Sequence, residues 1–424
     1  MIGAMFGVFF LMMALGVPIA FALGLASMFY LLFSDIPLAL LGQRMYAGMD
    51  SFPLLSIPAF IVAGSLFNSG GIAKRLFAFC NSLVGQIRGS LSLINVLTSK
   101  VFAGITGTAV ADVCNLGTIL IPAMKREGYE EEYAVALTAS TAIIAPTMPP
   151  SVPMVIAGTA VGISIGRMFA GGIIPGLMIG FSFLGLVYVI AVKRDYPRRR
   201  RYTIREILLS TKDAIWALLA PAVLLFGVMG GFFTPTEAAV VTVLYALIAG
   251  ALLYRELKFM DIYRNIAKTM RTAATVLVLM GLANVFGSIL IMEQVPQTVA
   301  RGILGISENR IVIILILNLF LLCVGLFMDA MAAIMITFPF LMPVAVQAGM
   351  DPIHFAVMAC INLFIGLITP PFGLCIATAA QIGKVPLWPS LKAAFPFVIM
   401  LICILMVVAF VPQTVLWLPN LLFN

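Results

Sequence analysis

Two stretches of this chain break long apolar runs with paired prolines. One is Ala145-Pro146-Thr147-Met148-Pro149-Pro150-Ser151-Val152-Pro153, and the other is Gly366-Leu367-Ile368-Thr369-Pro370-Pro371-Phe372-Gly373. Adjacent prolines withhold two backbone donors and disfavour helix at the preceding residue, so they set carbonyls free. Freed carbonyls and the negative end of a half-helix suit Na⁺, while the N-terminus of the half-helix that follows suits an anion. A lone proline kink is ordinary in a membrane helix. The same interruption in register in both halves of a chain points to paired half-helices arranged for binding.

A second pair of interruptions lies upstream of each. Gly89 to Met124 is apolar overall but is broken at Ala103-Gly104-Ile105-Thr106-Gly107-Thr108, and Gly325-Leu326-Phe327-Met328-Asp329-Ala330 holds the matching place. Each arm of about 16 residues is too short to cross a hydrocarbon core of roughly 30 Å, so a turn at mid-depth is expected. Such a turn is tolerable only where it lines a cavity or is buried in protein. Thr106 and Thr108 are placed to cap the second arm, turning its N-terminal amides into the cavity. Asp112 and Asp329 lie in or near the tips, where a charge is expensive, and are expected to bond hairpin backbone or to tune ion affinity. Thr234-Pro235-Thr236-Glu237 reads as a capping box, with Thr234 as N-cap, Pro at the first helical position and Glu237 at the third. The sole histidine, His354, is expected at the start of the second broken helix, near the membrane interface.

The elements that position these residues follow from composition. Apolar residues make up 62% of the 424 and charged residues only 10%, and apolar runs of about twenty recur throughout, which is a polytopic membrane protein with roughly ten or more crossings. Met1 to Phe33 lacks a basic start and a small-residue cleavage site, and is expected to remain in the mature chain. The formal charge of +8 is concentrated between Lys193 and Arg205 and in Arg255, Lys258, Arg264, Lys268 and Arg271. Between apolar spans such clusters mark cytoplasmic loops and lipid-facing charges rather than a nucleic-acid surface. The six cysteines are scattered without CxxC spacing and read as small core residues. No nucleophile triad, metal cluster or phosphate loop is present in the sequence, so an enzyme and an organic cofactor are not expected.

Sliding the chain against itself by 221 positions aligns Gly104 with Gly325, Pro122 with Pro343, Gly128 with Gly349, Pro149-Pro150 with Pro370-Pro371, Gly162 with Gly383 and Pro175 with Pro396. That is seven glycine or proline identities in 72 positions, where roughly one is expected by chance. A shift of 217 pairs Pro18 with Pro235 and Gly64 with Gly281. Arg88, Lys100, Lys125 and Arg126 flank the first interrupted hairpin, whereas the second is closed by Gln347 to His354 without Lys or Arg. Equivalent elements therefore enter from opposite faces, which defines an inverted repeat with an odd number of crossings per half and both termini periplasmic. The expected elements are helices at about 1–16, 18–34 and 52–69, a hairpin at 90–124, a broken helix at 130–162 and a crossing at 168–192. Their mates are about 214–233, 235–254, 272–292, 310–346, 353–382 and 389–412. The fold class is thus an all-α inverted-repeat membrane protein with two re-entrant hairpins and two broken helices. Scaffold blocks are expected at 1–88 and 213–309, moving blocks at 89–192 and 310–424, and a basic cytoplasmic linker at 193–212.

Several motifs together resemble one family. Gly107-Thr108-Ala109-Val110-Ala111-Asp112, Ile121-Pro122-Ala123-Met124-Lys125-Arg126-Glu127-Gly128-Tyr129, Met148-Pro149-Pro150-Ser151, Phe233-Thr234-Pro235-Thr236-Glu237-Ala238-Ala239 and Thr369-Pro370-Pro371-Phe372-Gly373 are similar to the large membrane subunit of tripartite ATP-independent periplasmic (TRAP) transporters. The likeness covers essentially the whole chain, and the first tip departs from the usual serine-rich form by using Thr106 and Thr108. It implies a bacterial inner-membrane, multi-pass subunit that works by an elevator motion coupled to Na⁺. Its partners would be a small four-helix membrane subunit, a soluble periplasmic binding protein and surrounding lipid, and its substrate an organic anion such as a C4-dicarboxylate or sialic acid. Carried over by position, one Na⁺ would sit among Gly104, Thr106, Ala145 and Met148, and a second among Gly325, Gly366 and Thr369. Substrate would lie between the tips, near Thr108, Pro150, Ser151, Asp329 and Pro371. A single-component sodium–carboxylate symporter of the same superfamily and, more distantly, an ion channel are the alternatives.

Overall fold

Glycines and prolines set where the helices stop, and the apolar runs between them set their lengths. The computed structural model describes residues 1–34, 36–306, 309–371 and 373–423. Its first half holds α1 (Ile2–Ala14), α2 (Ile19–Leu32), α3 (Ala39–Met49), α4 (Ser56–Ser69), α5 (Ile72–Val84), α6 (Ser90–Thr106), α7 (Ala109–Arg126), α8 (Glu131–Thr141), α9 (Ile144–Thr147), α10 (Val152–Val161) and α11 (Ile165–Lys193). The second half holds α12 (Ile204–Met229), α13 (Pro235–Leu247) with a π-helical extension Ile248–Leu253, α14 (Phe259–Met292), α15 (Val295–Ile306), α16 (Arg310–Phe327), α17 (Ala330–Gln347), α18 (Pro352–Gly366), α19 (Leu374–Gly383), α20 (Leu387–Phe410) and α21 (Gln413–Leu422). Among the described residues eight helices are long and apolar enough to cross a membrane.

The two hairpins are α6–α7 and α16–α17, and the two broken helices are α8–α9–α10 and α18–α19, close to the expected ranges. The aligned residues land in equivalent places. Gly104 and Gly325 lie in the last turn of the first hairpin arm, Pro122 and Pro343 inside the second arm, and Pro175 and Pro396 inside the closing helix. Gly128 and Gly349 both take left-handed backbone angles, φ +80° and +77°, at the turn that leads into the broken helix. Packing obeys the same exchange. α7 lies on α19 while its mate α17 lies on α10, and α4 lies on α13 while its mate α14 lies on α2. Contacts that swap with their partners in this way are those of a two-fold arrangement within one chain.

Some elements differ from expectation. α12 starts ten residues before the expected 214, inside the basic stretch, because Thr203 and Glu206 form a capping box there. α14 runs unbroken for 34 residues. Its first part is the mate of α3, which the 3₁₀ turn Phe52–Leu55 separates from α4 in the first half. Pro53 breaks the helix in the first half, and Met270 occupies the matching position in α14. The short α3, α5, α15 and α21 were not expected from sequence. α5 has Lys74, Arg75 and Asn81 on one side and Ile72, Leu76 and Cys80 buried on the other, so it lacks the continuous apolar run that marks a crossing.

The linker before α12 is tied down. Arg199 donates through Nε to Glu127 (2.8 Å) and through Nη1 to Asn81 (3.0 Å), the Gly89 N–H donates to Pro197 O (3.1 Å), and Arg194 and Arg88 pair with Glu130 and Asp195. Such part-exposed pairs are each worth about 0–1 kcal/mol. Their joint effect is to hold α5 against the turn between α7 and α8. The capping box at Thr234 is present as expected: Glu237 N–H donates to Thr234 Oγ1 (3.3 Å) and Thr234 N–H to Glu237 Oε2 (2.8 Å). His354 does start α18 but is fully buried, with Nε2 2.8 Å from Val408 O.

Candidate functional site

The tip of the first hairpin is a turn that only glycine can make. Gly107 closes α6 at φ +65°, and a Cβ added there would overlap the carbonyl oxygen of Pro150. The Gly107 carbonyl accepts the Val152 N–H at 3.2 Å, so the tip docks directly on the break between α9 and α10. The Pro149–Pro150 and Pro370–Pro371 peptide bonds are both cis. Thr106 and Thr108 do not cap α7 as expected. Thr108 occupies the N-cap position without a side-chain bond, and the Thr106 hydroxyl donates to Asp112 Oδ1 at 2.5 Å. Asp112 is buried one turn into α7, it bonds a side chain rather than backbone, and its Oδ2 has no hydrogen-bond partner among the described residues.

At the second tip the contact is closer still. Gly325, in the last turn of α16, lies against Gly366, the last residue of α18, so that a Cβ on Gly366 would overlap the Gly325 carbonyl. Thr369 follows one turn later, its N–H donating to Gly366 O (3.2 Å) and its hydroxyl to Ile365 O. The structure thus brings Gly325, Gly366 and Thr369 together. Asp329 is the N-cap of α17 and accepts the Met331 N–H at 3.0 Å, a bond to hairpin backbone as expected.

The first-half set is arranged differently. Ala145, the positional mate of Gly366, is buried in α9, which packs on α6. Gly104 faces Pro221 of α12, and the Met148 side chain packs on Gly176 of α11. Ser151 is wholly buried, donates to Pro146 O (2.5 Å) and accepts the Met154 N–H (3.2 Å), so its hydroxyl is engaged as the N-cap of α10. Ser151→Ala is expected to cost about 0.5–2 kcal/mol of stability, read as a lower midpoint in thermal unfolding of the purified chain. Pro150 is buried, whereas Pro370 and Pro371 are exposed. Phe372, part of the second motif, lies outside the described residues.

Buried amides fix the arms to the broken helices. Asn95 on α6 donates to Thr138 Oγ1 (2.8 Å) on α8 and accepts from Thr141 (2.9 Å). Asn362 on α18 donates to Asn318 Oδ1 on α16 (2.9 Å). In a dry interior these bonds favour a single register, because an unpaired amide there is costly.

Between the tips lies a cavity of about 380 Å³. Thr106, Thr108 and Ala109 line it from the first hairpin, and Asp329, Ala330 and Met331 from the second. The opposite wall is α4 and α14, contributing Gly64, Ser65, Lys268, Thr269 and Thr272. A second cavity of about 390 Å³ shares Asp329 and Leu367 and adds Gly325, Gly366 and the α1–α2 joint at Gly16 to Ile19. Of the residues expected to contact substrate, Thr108 and Asp329 line the first cavity and Pro150, Ser151 and Pro371 do not. Ser65, Asn115, Lys268, Thr269 and Thr272 were missed. The helices of Ser65, Lys268, Thr269 and Thr272 read as scaffold, Asn115 lies on the second arm of the first hairpin away from its tip, and Lys268 sits in a run that positive-inside counting already explained. Among the described residues no group of three or more His, Cys, Asp or Glu side chains could hold a metal. Any cation here would rely on carbonyls and hydroxyls, the donor set that the two interruptions supply.

Repeated hairpins and broken helices meeting around cavities that carry a few hydroxyl, carboxyl and ammonium groups inside an apolar bundle define a multi-pass membrane transporter of the two-fold type. The profile of the family described as "Tripartite ATP-independent periplasmic transporter, DctM component" matches residues 6–414, and the chain belongs to that family. It is 39% identical over 422 residues, 99% of both chains, to the sialic acid TRAP transporter large permease protein SiaM of Vibrio cholerae. It is 34% identical to the C4-dicarboxylate large permease protein DctM of the same organism, covering 97% of this chain and 96% of that one. It is 36% identical to the isethionate permease protein DctMQ of Oleidesulfovibrio alaskensis, covering 96% of this chain and 65% of that one. The YdaH transporter of Alcanivorax borkumensis shares the fold, with a TM-score of 0.66, 16% identity and coverage of 92% of this chain and 91% of that one.

Proposed function

We propose that this large permease subunit imports an organic anion coupled to Na⁺, receiving it from a soluble periplasmic binding protein and working with a small membrane subunit. The observation that carries the reading is the meeting of Gly325 and Gly366 beside a cavity that both hairpin tips line. There, the Gly325 carbonyl at the end of α16 stands beside the N-terminus of α17, and the N-terminus of α7 lines the adjoining cavity, a cation site near an anion site. Na⁺ would be held by Gly104, Thr106, Ala145 and Met148 in one half and by Gly325, Gly366 and Thr369 in the other. Thr108 and Asp329 would contact the anion. Blocks 89–192 and 310–424 would move as one against 1–88 and 213–309. The relatives' substrates, sialic acid, C4-dicarboxylates and isethionate, are all organic anions.

The test is uptake by the complex reconstituted with its binding protein, supplied with those acids in turn. An inward Na⁺ gradient is expected to drive accumulation and an equal K⁺ gradient to leave it at background; sodium-independent accumulation sinks the coupling. If two Na⁺ accompany a monoanion, one net charge crosses per cycle, worth about 2.3 kcal/mol per 100 mV, so uptake then responds to an imposed potential.

A further inference from the structure

We infer that Lys268 is the residue that attracts the anion within this cavity, a fixed positive charge on the α4–α14 wall that meets the anion on the cytoplasmic side of the hairpin tips. The inference rests on the reading of this cavity as the anion's path and names the recognition chemistry on its stationary side: an ammonium for a carboxylate or sulfonate.

Several observations support it. Five basic residues lie between Arg255 and Arg271, and only Lys268 lines the cavity. A topogenic role accounts for the run as a whole but not for one member facing a cavity between the hairpin tips. Lys268 is also the only basic side chain among the described lining residues, and it enters no described ion pair. The one acid on the opposite wall, Asp329, is engaged by the Met331 N–H of its own helix.

The wall beneath Lys268 is braced. Asn265, three residues earlier on α14, accepts from Ser65 Oγ (3.1 Å) and donates to Ser69 Oγ (2.8 Å), joining α14 to α4. The Thr269 hydroxyl donates to Asn265 O at 2.8 Å. Lys268 therefore has a fixed root and an exposed head. Across the cleft, α7 presents Cys114 and Asn115, and Asn115 is itself positioned by Asn68 (2.8 Å). A single charge in a cleft with low-dielectric walls raises the local concentration of an oppositely charged solute by an order of magnitude or more. The hydroxyls of Thr108 and Thr272 around it suit an acid that also carries hydroxyl or carbonyl groups.

Cys114 supplies a probe independent of transport. Cys114, Cys323 and Cys403 are exposed and the other three cysteines are buried. With Cys323 and Cys403 changed to Ser, Cys114 can be reacted with a sulfonated and with a quaternary-ammonium methanethiosulfonate in the purified full-length chain, in complex with its membrane partner. The ratio of the anionic to the cationic rate is expected to fall about tenfold in Lys268→Gln, to persist in Lys268→Arg, and to change less than twofold in Arg255→Gln. Should Lys268→Gln fail to accumulate, high salt reports on the same charge, since screening is expected to collapse the ratio in the otherwise unaltered chain. A ratio indifferent to Lys268→Gln, or to salt, overturns the inference. Loss of Na⁺-driven uptake in the unaltered complex would instead count against the transport reading, and the rate ratio at Cys114 would not depend on it.

Discussion

Gly366→Ala is expected to reduce Na⁺-driven uptake at least tenfold while the equivalent exchange in the first half, Ala145→Gly, leaves most of it. The added methyl would overlap the Gly325 carbonyl, a backbone atom at the end of α16 that no rotamer change can move aside. Overpacking of this kind typically costs 1–3 kcal/mol. Here the strain falls on two helix ends whose carbonyls are the proposed Na⁺ ligands, so ion binding should suffer more than folding. Ala145 already carries a methyl in α9, where the first-half backbones are disposed so that it fits. Thermal unfolding with and without Na⁺ separates the two effects. Stabilisation by Na⁺ in the unaltered chain and its loss in Gly366→Ala is the expected pattern; equal stabilisation of both would remove Gly366 from the ion site.

The second large effect is expected at Thr106. Its hydroxyl is the only described hydrogen-bond donor to Asp112, whose other oxygen has none, and both residues are buried. Thr106→Val keeps the shape and removes that donor, leaving a buried carboxyl group unsatisfied at a cost of about 1–3 kcal/mol or more. Because Thr106 and Thr108 also line the cavity, the tip should loosen where the anion and one Na⁺ are proposed to bind. The Na⁺ concentration for half-maximal uptake is expected to rise about tenfold or more, following from that energy. Thr106→Ser should restore it, since serine presents the same oxygen. A Thr106→Val complex with unaltered Na⁺ dependence would show that the Thr106–Asp112 pair serves packing alone.

Both predictions fall on motifs that were visible before any fold was known. Glycine and proline restrict the backbone, so their recurrence at fixed spacing reports geometry without reference to packing. Gly128 and Gly349 show this: two glycines aligned by a gapless shift turn out to share the left-handed conformation that only glycine adopts freely. The hairpins, the broken helices and the Thr234–Glu237 cap were legible for the same reason, because each depends on residues within a few positions of one another.

What tertiary structure alone decided is which groups those backbones meet. Local sequence made Thr108 a cap; packing left Thr108 at the N-cap position without a side-chain bond and lining the cavity, and it set the Ser151 hydroxyl on Pro146 O. It gave the Thr106 hydroxyl to Asp112, a choice between alternatives that propensity does not rank. Amphipathic α5 escaped notice because its short polar-faced pattern resembles a loop until α6 and α12 cover the other face. Lys268 is the sharpest case. Its charge and its place in a basic run are properties of the sequence, and that run is explained by topology. Its position opposite two hairpin tips, more than 150 residues away from Thr108, depends on long-range packing of α14 across the two-fold arrangement.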